Sequence, residues 1–223
     1  AETANMLNGS AEAIVLGSCK EDLSTLGNYG IKAVHHVSDA SLDSFDAQVH
    51  ANIIAQAMDQ TQAQIFICSA NPNGKAVSSR LSMRIKAGLV SGAVALPELS
   101  NGFTVKKSVF SGKAFAHIQI KSDKKIISVN PNAFGIKMSE GTATVQSLSV
   151  SIPASSIKVN EVNKVSGEVP LTEADIVVSG GRGLKGPENW GLVTDLASVL
   201  GAATACSRPV ADVHWRPHHE HVG

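Results

Sequence analysis

The residues with the clearest chemical potential lie in a glycine-rich turn near the C-terminal end of the chain. An apolar strand is predicted over residues 175–178, and the sequence SGGRGLKG follows it over residues 179–186. Pro187 then opens a predicted helix, since proline lacks only an N–H group that has no partner in a first helical turn, and Gly201 ends it. The predicted buried stripe of this helix consists of Leu192, Val193, Leu196 and Val199. Strand, glycine turn and helix N-terminus bring free backbone N–H groups and the positive end of a helix dipole together. The pattern predicts a site for a phosphate-bearing cofactor.

A second predicted strand, residues 202–206, delivers further polar groups to the same end of the sheet. Ser207 and Arg208 follow it directly, and ligands of open α/β sheets lie beyond the carboxyl ends of the strands. Arg182, inside the glycine turn, can bind a pyrophosphate through two parallel hydrogen bonds. A surface ion pair with Asp212 is the alternative role for Arg208.

The glycine turn also satisfies the GxGxxG pattern of nicotinamide dinucleotide enzymes, through Gly181, Gly183 and Gly186. Such enzymes place an acidic residue at the end of the second strand, about twenty positions on, to hold a ribose hydroxyl. Here Ser207 and Arg208 stand at that place. An NAD(P)-dependent oxidoreductase that binds a 2′-phosphate through Arg208, a nucleotide-binding module without enzymatic activity, and a turn without a ligand remain alternatives.

A histidine cluster follows the second strand and could hold a metal ion: His214, His218, His219 and His221. Its spacing matches no standard zinc pattern, and HExxH is absent. We interpret it as a solvated or cofactor-proximal loop.

Gly74 and Lys75 suggest a second phosphate site, a P-loop. That motif requires a glycine five positions before Gly74 and a hydroxyl after the lysine, where Ser69 and Ala76 stand. The segment instead predicts an amphipathic helix over residues 75–86.

The elements that position these groups alternate between strand and helix, which predicts parallel sheets with helical crossovers. From Leu89 onward the apolar period becomes strand-like, which predicts an antiparallel section that residues 126–129 close. Residues 166–170 combine polar residues with glycine and proline, so we place a domain boundary there, between residues 1–165 and 166–223. The predicted elements before residue 166 are strands 11–17, 31–37, 65–68, 145–152 and 157–165, helices 21–30 and 75–86, a helix from Ser41 or Asp43 to Met58, and hairpin turns at Ser111-Gly112 and Ser122-Asp123.

Composition bounds the functional class. Hydrophobic residues make up 43% of the 223 residues and aromatic residues only 4%, which is typical of sheets covered by helices. Nineteen basic and nineteen acidic residues cancel, so we expect neither nucleic-acid binding nor membrane insertion. Three widely spaced cysteines and the lack of an apolar run of membrane-spanning length predict a cytoplasmic protein.

Several stretches of the sequence, which occur in the same order as in the family, together resemble the alpha subunits of electron-transfer flavoproteins. The N-terminal part is similar over residues 88–92, 110–114 and 130–134. The sharper matches to the FAD-binding domain are VSGGRGLKGPEN (178–189), LGAA (200–203), CSRPVAD (206–212), WRPH (215–218) and HVG (221–223).

The resemblance implies a fold, a cofactor and partners. It implies an N-terminal α/β domain with a mostly parallel sheet flanked by helices plus an antiparallel section, followed by an incomplete Rossmann-like FAD-binding domain. Because the family pattern extends beyond both Ala1 and Gly223, we expect the chain to be truncated at both ends. In the family the serine and arginine that match Ser207 and Arg208 contact the flavin, and the segment that matches His221, Val222 and Gly223 leads directly into further FAD contacts, although His221 replaces a glutamine. With Arg182 of the glycine turn, the expected cofactor-binding residues are Arg182, Ser207, Arg208, Val222 and Gly223.

The implied function is electron transport within a heterodimer with a beta subunit, as a redox carrier rather than an enzyme with its own substrate. Dehydrogenases such as those of fatty acid beta-oxidation, which act on acyl-CoA, would supply electrons, and a quinone-linked or other acceptor would receive them. A fixed cation at Arg208 beside the flavin ring would favour its anionic reduced forms.

Overall fold

The computed structural model describes residues 1–161, 171 and 174–222. The chain divides into two compact units, Ala1–Val159 and Asn160–Gly223. The predicted domain boundary at residues 166–170 lies outside the described residues. Both units contain parallel strands joined by helices, and the first adds antiparallel strands. The predicted α/β class is therefore confirmed.

The first sheet of the N-terminal unit consists of three parallel strands in the order β1-β2-β8. A short helix, α1 (Glu2–Met6), precedes it. Between β1 and β2 the predicted helix is a 3-10 helix, Leu23–Tyr29, which Asp22 caps and Gly30 ends with a φ of 80°. The strands are β1 (Glu12–Leu16), β2 (Ala33–Val37) and β8 (Thr144–Ser147).

The second sheet has five strands in the order β3-β7-β4-β5-β6, and its centre is parallel. Residues 126–129 were predicted to close an antiparallel section, but β7 pairs in parallel with both β3 and β4. Ile126, Ile127 and Ser128 are buried in succession, as in a central strand covered on both faces. Ser122-Asp123 therefore begins a crossover and not a hairpin, whereas Ser111-Gly112 does join the antiparallel pair β5 and β6. The strands are β3 (Ile65–Ser69), β4 (Gly88–Ala93), β5 (Thr104–Val109), β6 (Ala114–Gln119) and β7 (Lys125–Val129).

Two longer helices, α2 (Ala47–Gln60) and α3 (Pro72–Ile85), pack against each other. The predicted cap of α2 at Ser41 or Asp43 was wrong, because the Asp46 carboxylate accepts hydrogen bonds from the N–H groups of Gln48 (2.8 Å) and Val49 (3.3 Å). Throughout the described ranges, no helix combines the length and the apolar character needed to cross a lipid bilayer.

Residues 148–159 run along α2 as a strap and do not continue β8. The prediction of strands at 145–152 and 157–165 was therefore wrong for residues 148–152 and 157–161. Residues 162–165 lie outside the described residues. Gln56 exchanges two hydrogen bonds of 2.8 Å with the backbone of Ser151, and the Gln60 amide donates to the carbonyl of Ser149. Helix side chains thus take over the hydrogen bonds that a sheet neighbour would have made.

Much of the core of the first unit lies on the two faces of the five-stranded sheet. Ala51, Ile54, Val77, Leu81 and Ile126 belong to one cluster, which joins α2 and α3 to β7. A second cluster contains Val90, Ala93, Phe103, Val105, Ile120 and Ile127.

The C-terminal unit has a three-stranded parallel sheet in the order β11-β10-β9. The predicted buried stripe of helix α4 was wrong in part, because Leu192, Leu196 and Val199 are 70%, 51% and 84% exposed. Instead, Val193 and Ala197 face the core together with Trp190, three and four residues apart. The elements are β9 (Val177–Gly180), α4 (Gly191–Leu200), β10 (Ala203–Ser207), α5 (Arg208–Asp212) and β11 (His221–Val222).

The cap of α2 predicts a pH-dependent stability. A hydrogen bond from the Ser155 hydroxyl, and those from Gln48 and Val49, lower the pKa of Asp46 against the opposing effect of burial. A carboxylate with a lowered folded-state pKa stabilises the fold above the unfolded value of about 3.9, and this contribution is lost as the pH falls through the folded value. We expect Asp46→Ala to lower the free energy of unfolding by about 1 kcal/mol at neutral pH, and by less in acid.

Chemical unfolding at neutral and acid pH measures this difference. Asp46→Asn is the control, because asparagine still caps a helix but carries no charge. A cost of Asp46→Ala that does not change with pH would contradict the assignment.

The close packing around Gly74 leads to a second stability prediction. It lies in the first turn of α3, where a Cβ atom would collide with the carbonyl oxygen of Ser69. Gly74→Ala should therefore destabilise the protein by about 1–3 kcal/mol, while Lys75→Ala, on the exposed side of the same turn, should change stability by less than about 0.5 kcal/mol. Thermal unfolding of both variants tests this, and equal effects would argue against a packing role for the glycine.

Candidate functional site

The ends of three parallel strands bring the predicted cofactor residues together. Cys206 of β10 pairs with Gly180 of β9 and with His221 of β11, and Ser207 pairs with Val222. Gly181 is the next residue after β9, and a Cβ atom at this position would lie 3.8 Å from the Ser207 hydroxyl oxygen. Gly181, Ser207 and Val222 thus form one edge of the sheet, called the rim here.

The two predicted arginines follow the rim directly in sequence. Arg182 comes after Gly181 and begins a 3-10 turn, Arg182–Leu184, and Arg208 comes after Ser207 as the first residue of α5. Both side chains are exposed. Of the five predicted residues, Gly223 lies outside the described residues.

The loop between β9 and α4 is held by its own hydrogen bonds. The N–H groups of Leu184 and Lys185 donate to the carbonyls of Gly181 and Arg182, and the Asn189 amide donates to the carbonyl of Leu184 at 2.8 Å. Pro187 opens a second 3-10 turn, Pro187–Asn189, before α4 begins. These hydrogen bonds define the shape of the loop.

The glycines of this loop fall into two kinds. A Cβ atom at Gly180 would lie 2.7 Å from Trp190 and 2.8 Å from Leu184, so internal packing requires glycine there. Among the described residues, a Cβ atom at Gly183 would have no neighbour within 4 Å, and one at Gly181 would have only the Ser207 hydroxyl. Neither Gly181 nor Gly183 has the left-handed backbone that favours glycine. These two glycines leave the backbone open to an external group.

The alternative partner of Arg208, Asp212, does lie nearby. The Arg208 Nε atom is 3.7 Å from Asp212 Oδ2, and the two side chains are 76% and 52% exposed. Ion pairs this exposed contribute little free energy. The contact leaves the guanidinium accessible at the rim.

Beneath the rim lies a small apolar cluster that positions the strand ends. Trp190, Val193, Cys206, Val210 and Ala211 are buried together. Burial, and secondarily the charge of Glu220, raise the pKa of the Cys206 thiol. Cys206 is therefore an inert core residue and not a nucleophile.

The histidine loop between α5 and β11 stacks on itself. The rings of His214 and His221 each pack edge-on against His218, with centroids 6.2 and 6.3 Å apart. The His221 Nδ1 atom lies 2.6 Å from the His218 carbonyl oxygen, so Nδ1 carries the proton. Within the described part of the chain, no three His, Cys, Asp or Glu side chains are grouped so that they could hold a metal ion.

Sequence reasoning missed two features of this region. Trp190 is 6% exposed and packs against Gly180, and Arg216 forms a two-pronged ion pair with Glu220. Opposite charges four residues apart were a signal for that pair, but its partial burial could not be predicted.

Comparisons with known proteins place both units in one family. The electron transfer flavoprotein domain matches residues 1–153, and the electron transfer flavoprotein FAD-binding domain matches residues 170–223. Each match covers most of one of the two structural units.

Individual relatives agree. The electron transfer flavoprotein subunit alpha of Syntrophomonas wolfei is 28% identical over 215 residues, which cover 95% of this chain and 68% of the relative. The subunit alpha of Bacillus subtilis is 28% identical over 93% of this chain and 65% of its own length. Protein FixB of Escherichia coli is 28% identical over 78% of this chain and 57% of its own length. The chain thus spans about two thirds of the length of the alpha subunits it matches, and it belongs to the electron transfer flavoprotein family as an alpha-subunit sequence whose second unit is the family's FAD-binding domain.

Proposed function

We propose that the rim holds FAD, through Arg182, Ser207, Arg208, Val222 and Gly223, and that the protein carries electrons through it. The observation that supports this most is the register of the sheet. It brings the carboxyl ends of three strands together, so that a glycine, a hydroxyl and an exposed backbone lie side by side. Ligands of parallel sheets bind at such edges.

The glycine turn suits the diphosphate of FAD. Gly181 and Gly183 leave open space in front of the backbone, so that N–H groups can approach phosphate oxygens closely. Arg182 lies between them with its guanidinium exposed. A planar guanidinium can bind a diphosphate through two parallel charge-assisted hydrogen bonds.

The residues after β10 suit the flavin ring. The Ser207 hydroxyl does not cap the helix that follows it, which leaves it available to a ligand. Arg208 supplies a positive charge, and its ion-pair partner among the described residues is the exposed Asp212. A cation held beside the ring stabilises the negative charge added on reduction and so raises the reduction potential.

The family supplies the wider role. FAD supplies the redox chemistry, accepting and releasing electrons, and the chain binds and tunes it. We propose that an electron transfer flavoprotein beta subunit completes a heterodimer. In this proposal the protein is cytoplasmic. It receives electrons from dehydrogenases, such as those that oxidise acyl-CoA in fatty acid beta-oxidation, and passes them to a quinone-linked or other acceptor.

Removal of either arginine should have a distinct effect. Arg182→Ala should weaken FAD binding by about tenfold to a hundredfold, since a charge-assisted hydrogen bond is worth about 1.5–3 kcal/mol. Arg208→Ala should mainly lower the flavin reduction potential, because it removes the nearby positive charge. The visible absorption of the purified complex with the beta subunit gives the flavin content, and a redox titration gives the potential.

Asp212→Ala is the matched control, because it removes the ion-pair partner of Arg208 and keeps the cation. Its flavin content should equal that of the unmodified protein. Unchanged content and potential in both arginine variants would refute the site.

The two kinds of glycine in the turn should also separate. Gly183→Ala places a methyl group in open space, so we expect unchanged or slightly higher stability and an FAD affinity about tenfold lower, which equals about 1.4 kcal/mol. Gly180→Ala forces a methyl group against Trp190 and should destabilise the fold by about 1–3 kcal/mol. Flavin fluorescence titration and thermal unfolding measure the two effects. An FAD affinity unaltered by Gly183→Ala would show that the turn does not approach the cofactor.

A further inference from the structure

The third strand of the rim, β11, is flanked by side-chain contacts that can position it. Its described residues are His221 and Val222, and both are exposed. They pair with Cys206 and Ser207 of β10. Side-chain contacts immediately before β11 can add to this pairing and help to hold Val222 beside Ser207.

An ion pair lies immediately before β11. The Arg216 Nε atom donates to Glu220 Oε2 and its Nη2 atom donates to Oε1, each at 2.7 Å. The side chains are 29% and 12% exposed, so water screens the pair less than a surface contact. This two-pronged geometry fixes the orientation of both side chains, and Glu220 adjoins the first residue of β11.

Arg216 also connects β11 to the opposite strand of the rim. Its guanidinium carbon lies 5.3 Å from the centroid of the Trp190 ring, within the range of a cation–π contact. Trp190 is buried and in turn limits the space around Gly180, at the end of β9. A continuous series of contacts thus runs from Glu220 through Arg216 and Trp190 to β9.

The Arg216–Glu220 pair also lies close to β10, the strand between β9 and β11. The charges of Glu220 and Arg216 act in opposite directions on the pKa of the buried Cys206 thiol in β10. Loss of one partner would leave the other charge partly buried above this cluster without compensation.

We infer that Arg216 and Glu220 are positioning residues for the FAD site, and that through Trp190 they set β11 against β10 so that the Val222 backbone faces the cofactor. The inference rests on the proposed function. Neither side chain needs to touch FAD for this role.

A charge exchange in the complex with the beta subunit tests the inference. We expect Arg216→Glu and Glu220→Arg each to weaken FAD binding at least about tenfold in a flavin fluorescence titration, with far-UV circular dichroism unchanged. The double variant restores an ion pair but not the cation at position 216 beside Trp190, so it should recover part of the affinity. Visible circular dichroism of the bound flavin should change in the single variants and return in the double variant, because it reports the surroundings of the ring.

Alkylation of Cys206 gives a readout that does not require FAD. In the unmodified protein the buried Cys206 should react slowly with N-ethylmaleimide, while the exposed Cys19 serves as an internal reference. Peptide mass spectrometry should detect faster reaction of Cys206 in both single variants. If either of these unfolds, Arg216→Lys and Glu220→Gln, which remove the fork or the charge with less disturbance, are expected to show the same changes at smaller size.

The outcomes separate the two proposals. Failure of the unmodified complex to bind FAD would refute the proposed function, and the inference with it, whatever Cys206 does. Normal FAD binding in the unmodified protein with equal affinity and equal protection of Cys206 in the variants would overturn the inference alone. A double variant no better than the single ones would also overturn it, because the two residues would then not act as a pair.

Discussion

The parallel register of β9, β10 and β11 is the constraint on which the candidate site depends. Parallel pairing makes strands end at the same side of a sheet, and here it aligns Gly180 with Cys206 and His221. One residue further along each strand lie Gly181, Ser207 and Val222, and the first two of these are followed by an arginine. Backbone pairing therefore brings together residues that are far apart in sequence.

Packing beneath the sheet maintains this alignment. Trp190 occupies the space that a side chain at Gly180 would need, and Cys206, Val210 and Ala211 are completely buried beside it. The polar residues of the rim thus rest on a cluster that has little freedom to rearrange. The accessible surface is polar and basic at Arg182 and Arg208, as the binding of an anionic dinucleotide requires.

Local sequence patterns predicted much of this arrangement and failed where tertiary contacts decide. The glycine turn, the proline after it and Gly201 at the end of α4 are local signals, and they correctly predicted a strand, a turn and a helix. The burial of α4 was predicted on the wrong stripe in part, since its sequence is apolar on two faces and only packing selects Val193 and Ala197. Likewise, residues 126–129 resemble any short apolar strand, and their central position in a parallel sheet follows from pairing with distant strands.

Candidate site residues follow the same division. Arg182, Ser207 and Arg208 stand at strand ends and inside a motif, so spacing and resemblance were sufficient to propose them. Arg216 and Glu220 carry no motif, and their significance arises from partial burial over Trp190, which only the fold reveals. The cap at Asp46 was missed for a similar reason, because Ser41, Asp43, Ser44 and Asp46 could each have capped α2.

Amide hydrogen exchange of the complex with the beta subunit, with and without FAD, tests the central claim most directly. The account predicts that FAD slows exchange together in three segments: residues 181–184, 207–209 and the backbone at 221–222. Binding of FAD that leaves these segments unprotected, or protects only residues of the N-terminal unit, would contradict it.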